Sequence, residues 1–150
     1  MTKLKLLPCL LLILSNWTFA GDYHHNNPQD VEEAEVVQVQ TLAKTSFSWN
    51  GDALPFYPET EPEITILKII IPAGAKLPIH KHPVINAGVL LKGELTVLTK
   101  DESESLQLEA GDAIVELVDK WHFGFNMGDK PAEIVVFYAG TPGTPITIAK

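Results

Sequence analysis

Residues 74–93 read GAKLPIHKHPVINAGVLLKG, and the two histidines inside that stretch decide how the rest of the chain is read. In an extended strand the side chains alternate between faces, so His80 and His82 point the same way. Two imidazoles placed like this can reach one ion about 2 Å from each. A surface pair has the same spacing, and alone the stretch leaves both readings open. A few residues on, where a carboxylate would complete a ligand set, the chain carries Asn86. An amide can ligate weakly or hydrogen-bond a bound water, but it cannot serve as a general base.

The surroundings of this stretch are β-rich. From Ile64 onward come ITILKIII, LPIHKH, INAGVLLKG, ELTVLTK, LQLEA, AIVELV, WHFGFN, AEIVVFYAG and PITIAK, separated by turns rich in Gly, Asp and Pro. Short strands at regular spacing predict an all-β, antiparallel sandwich or barrel. No long segment carries a 3.6-residue apolar period, and no internal repeat is visible. Upstream, VVQVQTLAKTSFSW (36–49) alternates apolar and polar residues and predicts one or two further strands. The following NGDALPFYPETEPE (50–63) is loop, with Phe56 and Tyr57 as packing or as a lid over a pocket.

A third histidine lies in WHFGFN. There His122, Gly124 and Asn126 share one face of a strand, opposite Trp121, Phe123 and Phe125. Glycine next to His122 on its own face leaves room in front of the ring, as a pocket needs. A buried histidine satisfied by a backbone carbonyl fits the same pattern.

With these positions in hand the chain resembles the cupin superfamily. Its first motif runs Gly, five residues, His-x-His, three or four residues, Glu, six residues, Gly. Gly74, His80, His82, Asn86 and Gly93 match every spacing, with only the acid replaced. The second motif runs Gly, five residues, Pro-x-Gly, two residues, His, three residues, Asn. Gly111, His122 and Asn126 keep that frame, with Leu117 and Asp119 in place of Pro and Gly. The likeness covers about residues 62–140. It implies a jelly-roll β-barrel over 36–150, a double-stranded β-helix whose wide mouth holds a metal. His80, His82 and His122 become metal ligands, Asn86 a weak ligand or a hydrogen-bonding neighbour, and Asn86, Gly88, Gly124 and Asn126 the substrate pocket.

Three neutral imidazoles leave a divalent ion its full formal charge, whereas a set with one carboxylate lowers it by one. Such a site favours an anionic oxygen ligand. The donor set suits Fe, Mn, Zn, Ni or Cu, and the function expected is action on a small oxygen-rich or anionic molecule by dioxygenase, isomerase or lyase chemistry. The alternatives are a binder of a small ligand or metal without turnover, and a structural oligomer. Acid–base candidates are Glu116 and Tyr57, followed by Glu94 and Asp119, although solvated surface is the ordinary fate of a carboxylate. The family analogy implies a homodimer.

The first twenty residues, MTKLKLLPCLLLILSNWTFA, have two lysines, an apolar run from Leu6 to Leu14 and small residues at Thr18 and Ala20. This is the pattern of a secretory signal peptide cleaved after about Ala20, and the run is about half of what a bilayer crossing needs. Residues 21–35 then read as a flexible segment in which His24 and His25 are surface histidines. Export to a periplasm or beyond is the expected location. Cys9 is the only cysteine, so a mature chain from Gly21 has no disulfide. Without residues 1–20 the formal charge moves from −8 to −10, with nine lysines and no arginine against nineteen acids. So acidic a chain is a poor binder of nucleic acid or anionic lipid.

Overall fold

The computed structural model describes residues 36–150. The expected signal peptide, the 21–35 segment and His24 and His25 lie outside the described residues. Nine strands follow one another: β1 (Glu63–Ile71), β2 (His80–Lys81), β3 (Ile85–Lys92), β4 (Glu94–Thr99), β5 (Ser105–Glu109), β6 (Ala113–Val115), β7 (His122–Phe125), β8 (Ala132–Gly140) and β9 (Ile148–Ala149). They form two antiparallel sheets, ordered β1-β8-β3-β6 and β5-β4-β7-β2-β9. Among the described residues there is no helix, and hence none long and apolar enough to cross a membrane. The all-β jelly roll expected from the sequence is the fold observed.

Period-two patterning builds the first sheet. In β8, Ala132, Ile134, Val136 and Tyr138 turn inward and are buried, while Glu133, Val135 and Phe137 alternate outward. Register sets Ile69 opposite Ile134 and Leu67 opposite Val136 in β1, then Gly88 opposite Val136 and Leu90 opposite Ile134 in β3. The inner faces close on Leu95, Val97 and Leu108 from the other sheet. Each such aliphatic side chain contributes about 1.5–3 kcal/mol on full burial, so this shared core holds the two sheets together. Gly93 turns β3 into β4 at φ +74°, and a Cβ there would lie 2.8 Å from the Pro131 carbonyl oxygen. Only glycine fits both the dihedral and the space.

The strand expected within 36–49 does not form. Residues 36–45 are exposed and join no ladder, and only Phe47 pairs, in an isolated bridge with Ala53. Alternation becomes a strand only when a partner accepts its backbone hydrogen bonds, and here none does among the described residues. The chain docks instead at its next residues: Ser48 Oγ donates to the Glu116 carbonyl at 2.8 Å and the Trp49 amide to that of Val115 at 2.9 Å.

Asn126 ties the end of β7 to two other segments. Its Nδ2 donates to the carbonyls of Lys130 (2.8 Å), Ile71 (3.0 Å) and Pro72 (3.2 Å), and its Oδ1 accepts from the Gly128 amide at 3.0 Å. The residue is fully buried, so its removal leaves buried carbonyls without a donor. Asn126→Ala is expected to lose about 2–4 kcal/mol in urea unfolding. Asn126→Asp should not restore it, because a carboxylate cannot donate to a carbonyl. Wild-type stability in either variant would contradict this role.

Candidate metal centre

The three histidines meet at one end of the barrel. His80 is the antiparallel partner of His122 across β2 and β7, and His82 forms a parallel bridge with Val118 just past β6. Their ring centroids are 4.6 Å (His80–His122), 4.9 Å (His80–His82) and 5.1 Å (His82–His122) apart. One ligating atom from each lies within 4.8 Å of the others. The pair that might have been a surface feature is therefore part of an inward-facing cluster.

Each ring is oriented by a backbone carbonyl. His80 Nδ1–H donates to Pro78 O, His82 Nδ1–H to Ile146 O and His122 Nδ1–H to Lys120 O, all at 2.8 Å. A carbonyl only accepts, so in each neutral ring the proton sits on Nδ1 and the lone pair on Nε2. This is how metal-ligating histidines are commonly set. Burial lowers the pKa of all three, that of His82 to about 4, against the opposing pull of its Ile146 hydrogen bond. At neutral pH the three rings are neutral, the form that ligates.

The cluster opens into a cavity of about 270 Å³ whose walls are largely aliphatic, with Leu77, Leu95, Val97 and Val136 among them. The polar groups on that wall are the histidines, Glu116, Tyr138 and Thr147. A larger hollow of about 480 Å³ lies around Pro55, Phe56 and Val118 and includes none of the three histidines.

Glu116 is the candidate acid that the fold brings to the site. It is buried, and its Oε2 lies 3.6 Å from His122 Nε2. Neither atom finds a hydrogen-bond partner among the described residues. Burial raises its pKa to about 7, with the nearby His80 pulling in the opposite direction. The other acid–base candidates are elsewhere. Tyr57 and Glu94 are exposed and line other hollows, and Asp119 is exposed and paired with Lys81 at 3.0 Å.

Of the four residues assigned to the substrate pocket, only Gly124 lines it. A Cβ on Gly124 would meet Leu77 Cδ1 at 3.2 Å, so leucine fills part of the space inferred in front of His122. Gly88 sits against β8, where a Cβ would lie 2.9 Å from Val135 O. It is a close-approach glycine rather than a cavity wall. Asn126 is the structural tie described above. Asn86 is buried with Nδ2 donating to Val84 O at 3.3 Å, and it does not reach the cavity wall. Missed in the sequence were Tyr138, whose ring lies 5.4 Å from that of His82, and the C-terminal segment, whose Ile146 carbonyl orients His82.

The fold and site define a jelly-roll barrel with a three-histidine pocket. Residues 67–138 match the family model described as "Cupin domain", a span that includes all three histidines. Together, fold and match support the cupin superfamily. Among solved structures, an oxalate oxidase in complex with the substrate analogue glycolate is 30% identical, over 55% of this chain and 45% of that one, at a TM-score of 0.46. An oxalate decarboxylase from Lactobacillus farciminis in a formate complex is 20% identical, over 57% and 26%, at 0.49. A structure of DMSP lyases is 14% identical, over 58% and 44%, at 0.50. In each case the chain spans less than half the length of the matched protein. No curated protein matches the sequence.

The buried titratable groups make stability depend on pH. The histidine pKa values lie below the ordinary 6.5. As pH falls below that value the unfolded chain binds protons that the folded rings resist, and stability is lost. Glu116 acts the other way, since its raised pKa gives stability present at low pH and lost as pH rises toward about 7. The His82 and Glu116 shifts oppose each other and those of His80 and His122 add to the first, so the metal-free protein should melt at a lower temperature at pH 5 than at pH 7. Glu116→Gln should widen that gap. Thermal melts in chelator check both, and a flat profile in the wild type would refute the assignment.

Proposed function

We propose that the protein is an exported, metal-dependent cupin acting on a small oxygen-rich or anionic molecule, by oxygen insertion, isomerisation or lyase chemistry. The observation that carries this reading is the orientation of the three rings: each Nδ1 is committed to a carbonyl, leaving three lone-pair nitrogens on one small cavity. A barrel core has no structural need for three clustered neutral imidazoles. Their nitrogen set, with oxygen ligands added, suits Fe, Mn, Zn, Ni or Cu. Once bound, the ion supplies Lewis acidity beside the cavity. The largely aliphatic wall favours a compact ligand with one polar end.

Export is proposed from the pattern of residues 1–20. A homodimer is proposed because the outer face of β1 and β8 exposes Ile64, Ile66, Ile70 and Phe137, an apolar surface suited to covering by a second copy.

Metal analysis of the purified protein tests the reading. Near-stoichiometric transition metal is expected in the wild type, with most of it lost in His80→Ala and in His122→Ala. No metal after growth in supplemented medium, with the variants unchanged, would end the metal reading. Oxygen-uptake and substrate-depletion screens on loaded protein then separate an enzyme from a binder.

A further inference from the structure

The acid absent from position 86 is present one strand away. β3 and β6 pair with Ala87 opposite Val115, and the Glu116 amide donates to the Asn86 carbonyl at 3.0 Å. Continued by one residue, that register sets Glu116 opposite Asn86. Opposite residues in an antiparallel pair project from the same face, with Cβ atoms about 4.5–5.5 Å apart. A carboxylate moved from one position to the other therefore stays on the same patch of barrel interior.

We propose that Glu116 is the fourth protein ligand to the ion held by His80, His82 and His122, replacing from β6 the acid that β3 lacks. The proposal rests on the metal-site reading above. Its own support is the pair of buried atoms facing each other, Glu116 Oε2 and His122 Nε2, 3.6 Å apart and both without a partner among the described residues. Because His122 Nδ1 carries the proton, Nε2 presents a lone pair, and an ionised Glu116 presents another. Two facing acceptors do not hydrogen-bond, and a protonated Glu116 that donated to Nε2 would stand closer than 3.6 Å; a cation between the two atoms satisfies both. Neighbouring nitrogen and oxygen ligands, each about 2.0–2.2 Å from one ion, stand about 3.0–3.5 Å apart, close to the Glu116–His122 separation; the group within 4.8 Å is the three histidines, which the carboxylate joins by drawing in from the His122 side.

The backbone holds Glu116 in this place. Its amide is bonded to Asn86 O and its carbonyl accepts from Ser48 Oγ at 2.8 Å. Its side chain is thereby committed to the cavity. With Glu116 bound, the formal charge of the site falls to +1, which softens the preference for an anionic ligand inferred from three histidines alone. Asn86 is then the amide neighbour of the ligand strand, its Nδ2 spent on Val84 O and its Oδ1 buried without a partner among the described residues.

Cobalt(II) titration of the full chain tests this, followed by the visible absorption of the bound ion. Glu116→Gln should bind cobalt at least about 10-fold more weakly, since even a group one shell out costs about 10–100-fold, and shift the absorption bands, while the metal-free variant melts no lower than the metal-free wild type at pH 7. Wild-type affinity and spectrum in Glu116→Gln, with binding abolished in His122→Ala, would overturn the fourth-ligand assignment and leave the histidine site standing. A wild type that binds no cobalt would overturn both. Should the variant fold poorly, the infrared difference spectrum of the wild type with and without cobalt decides the matter: a carboxylate band must shift on loading, and its absence overturns the proposal.

Discussion

His80 and His122 face each other at a single register position between strands of two and four residues. That pairing carries residues distant in the chain to one ring cluster, and the rest of the pocket is arranged around it. So short a strand has little stability of its own. β2 is held from both sides, by β7 and by β9, where His80 lies opposite Ala149 and Lys81 opposite Ile148. A slip of one residue in either ladder would turn both His80 and His82 away from the barrel interior. The C-terminal strand is thus part of the site: it fixes the register of β2, and Ile146, two residues before it, orients His82 through its carbonyl.

The prolines explain why β2 is so brief. Pro78 and Pro83 bracket the histidine pair, and proline has no amide to give a ladder. Pro78 also supplies the carbonyl that accepts from His80 Nδ1, so the residue that limits the strand also sets the tautomer of a ring in it.

Much of the fold was legible because the barrel strands show period two and their turns are marked by Gly, Asp and Pro. β1, β3, β4 and β8 fall within a residue or two of the runs read from the sequence. The histidine triad was legible for the same reason, since His-x-His in a strand has only one geometry. The 36–49 run was misread because alternation shows which face would be buried and says nothing about whether a partner exists. Glu116 was ambiguous for a different reason. In AIVELV both faces carry aliphatic residues, so the pattern puts Glu116 with Ile114 without telling which of the two sides is inside. The pairing with β3 answers that, and it is a long-range fact. Asn126 and Gly88 illustrate the same limit, since residues that match a pocket pattern can be spent on backbone ties and close strand approach.

The Asn86–Glu116 relation shows why a motif read along the chain can report a loss that a sheet does not suffer. A linear motif assigns each role to one position, whereas a sheet makes opposite positions nearly equivalent in space. Burying Glu116 without a hydrogen-bond partner for Oε2 is costly, and that cost has no evident return in packing, because an aliphatic side chain would fill the same wall. The three histidines present a similar case: one nitrogen of each satisfies a carbonyl, while the other is left, neutral, for the shared cluster. Four such groups on one small cavity are more economically explained by a cation that all four address than by four separate accidents of packing. In that view the carboxylate on β6 completes the set that the asparagine on β3 leaves open.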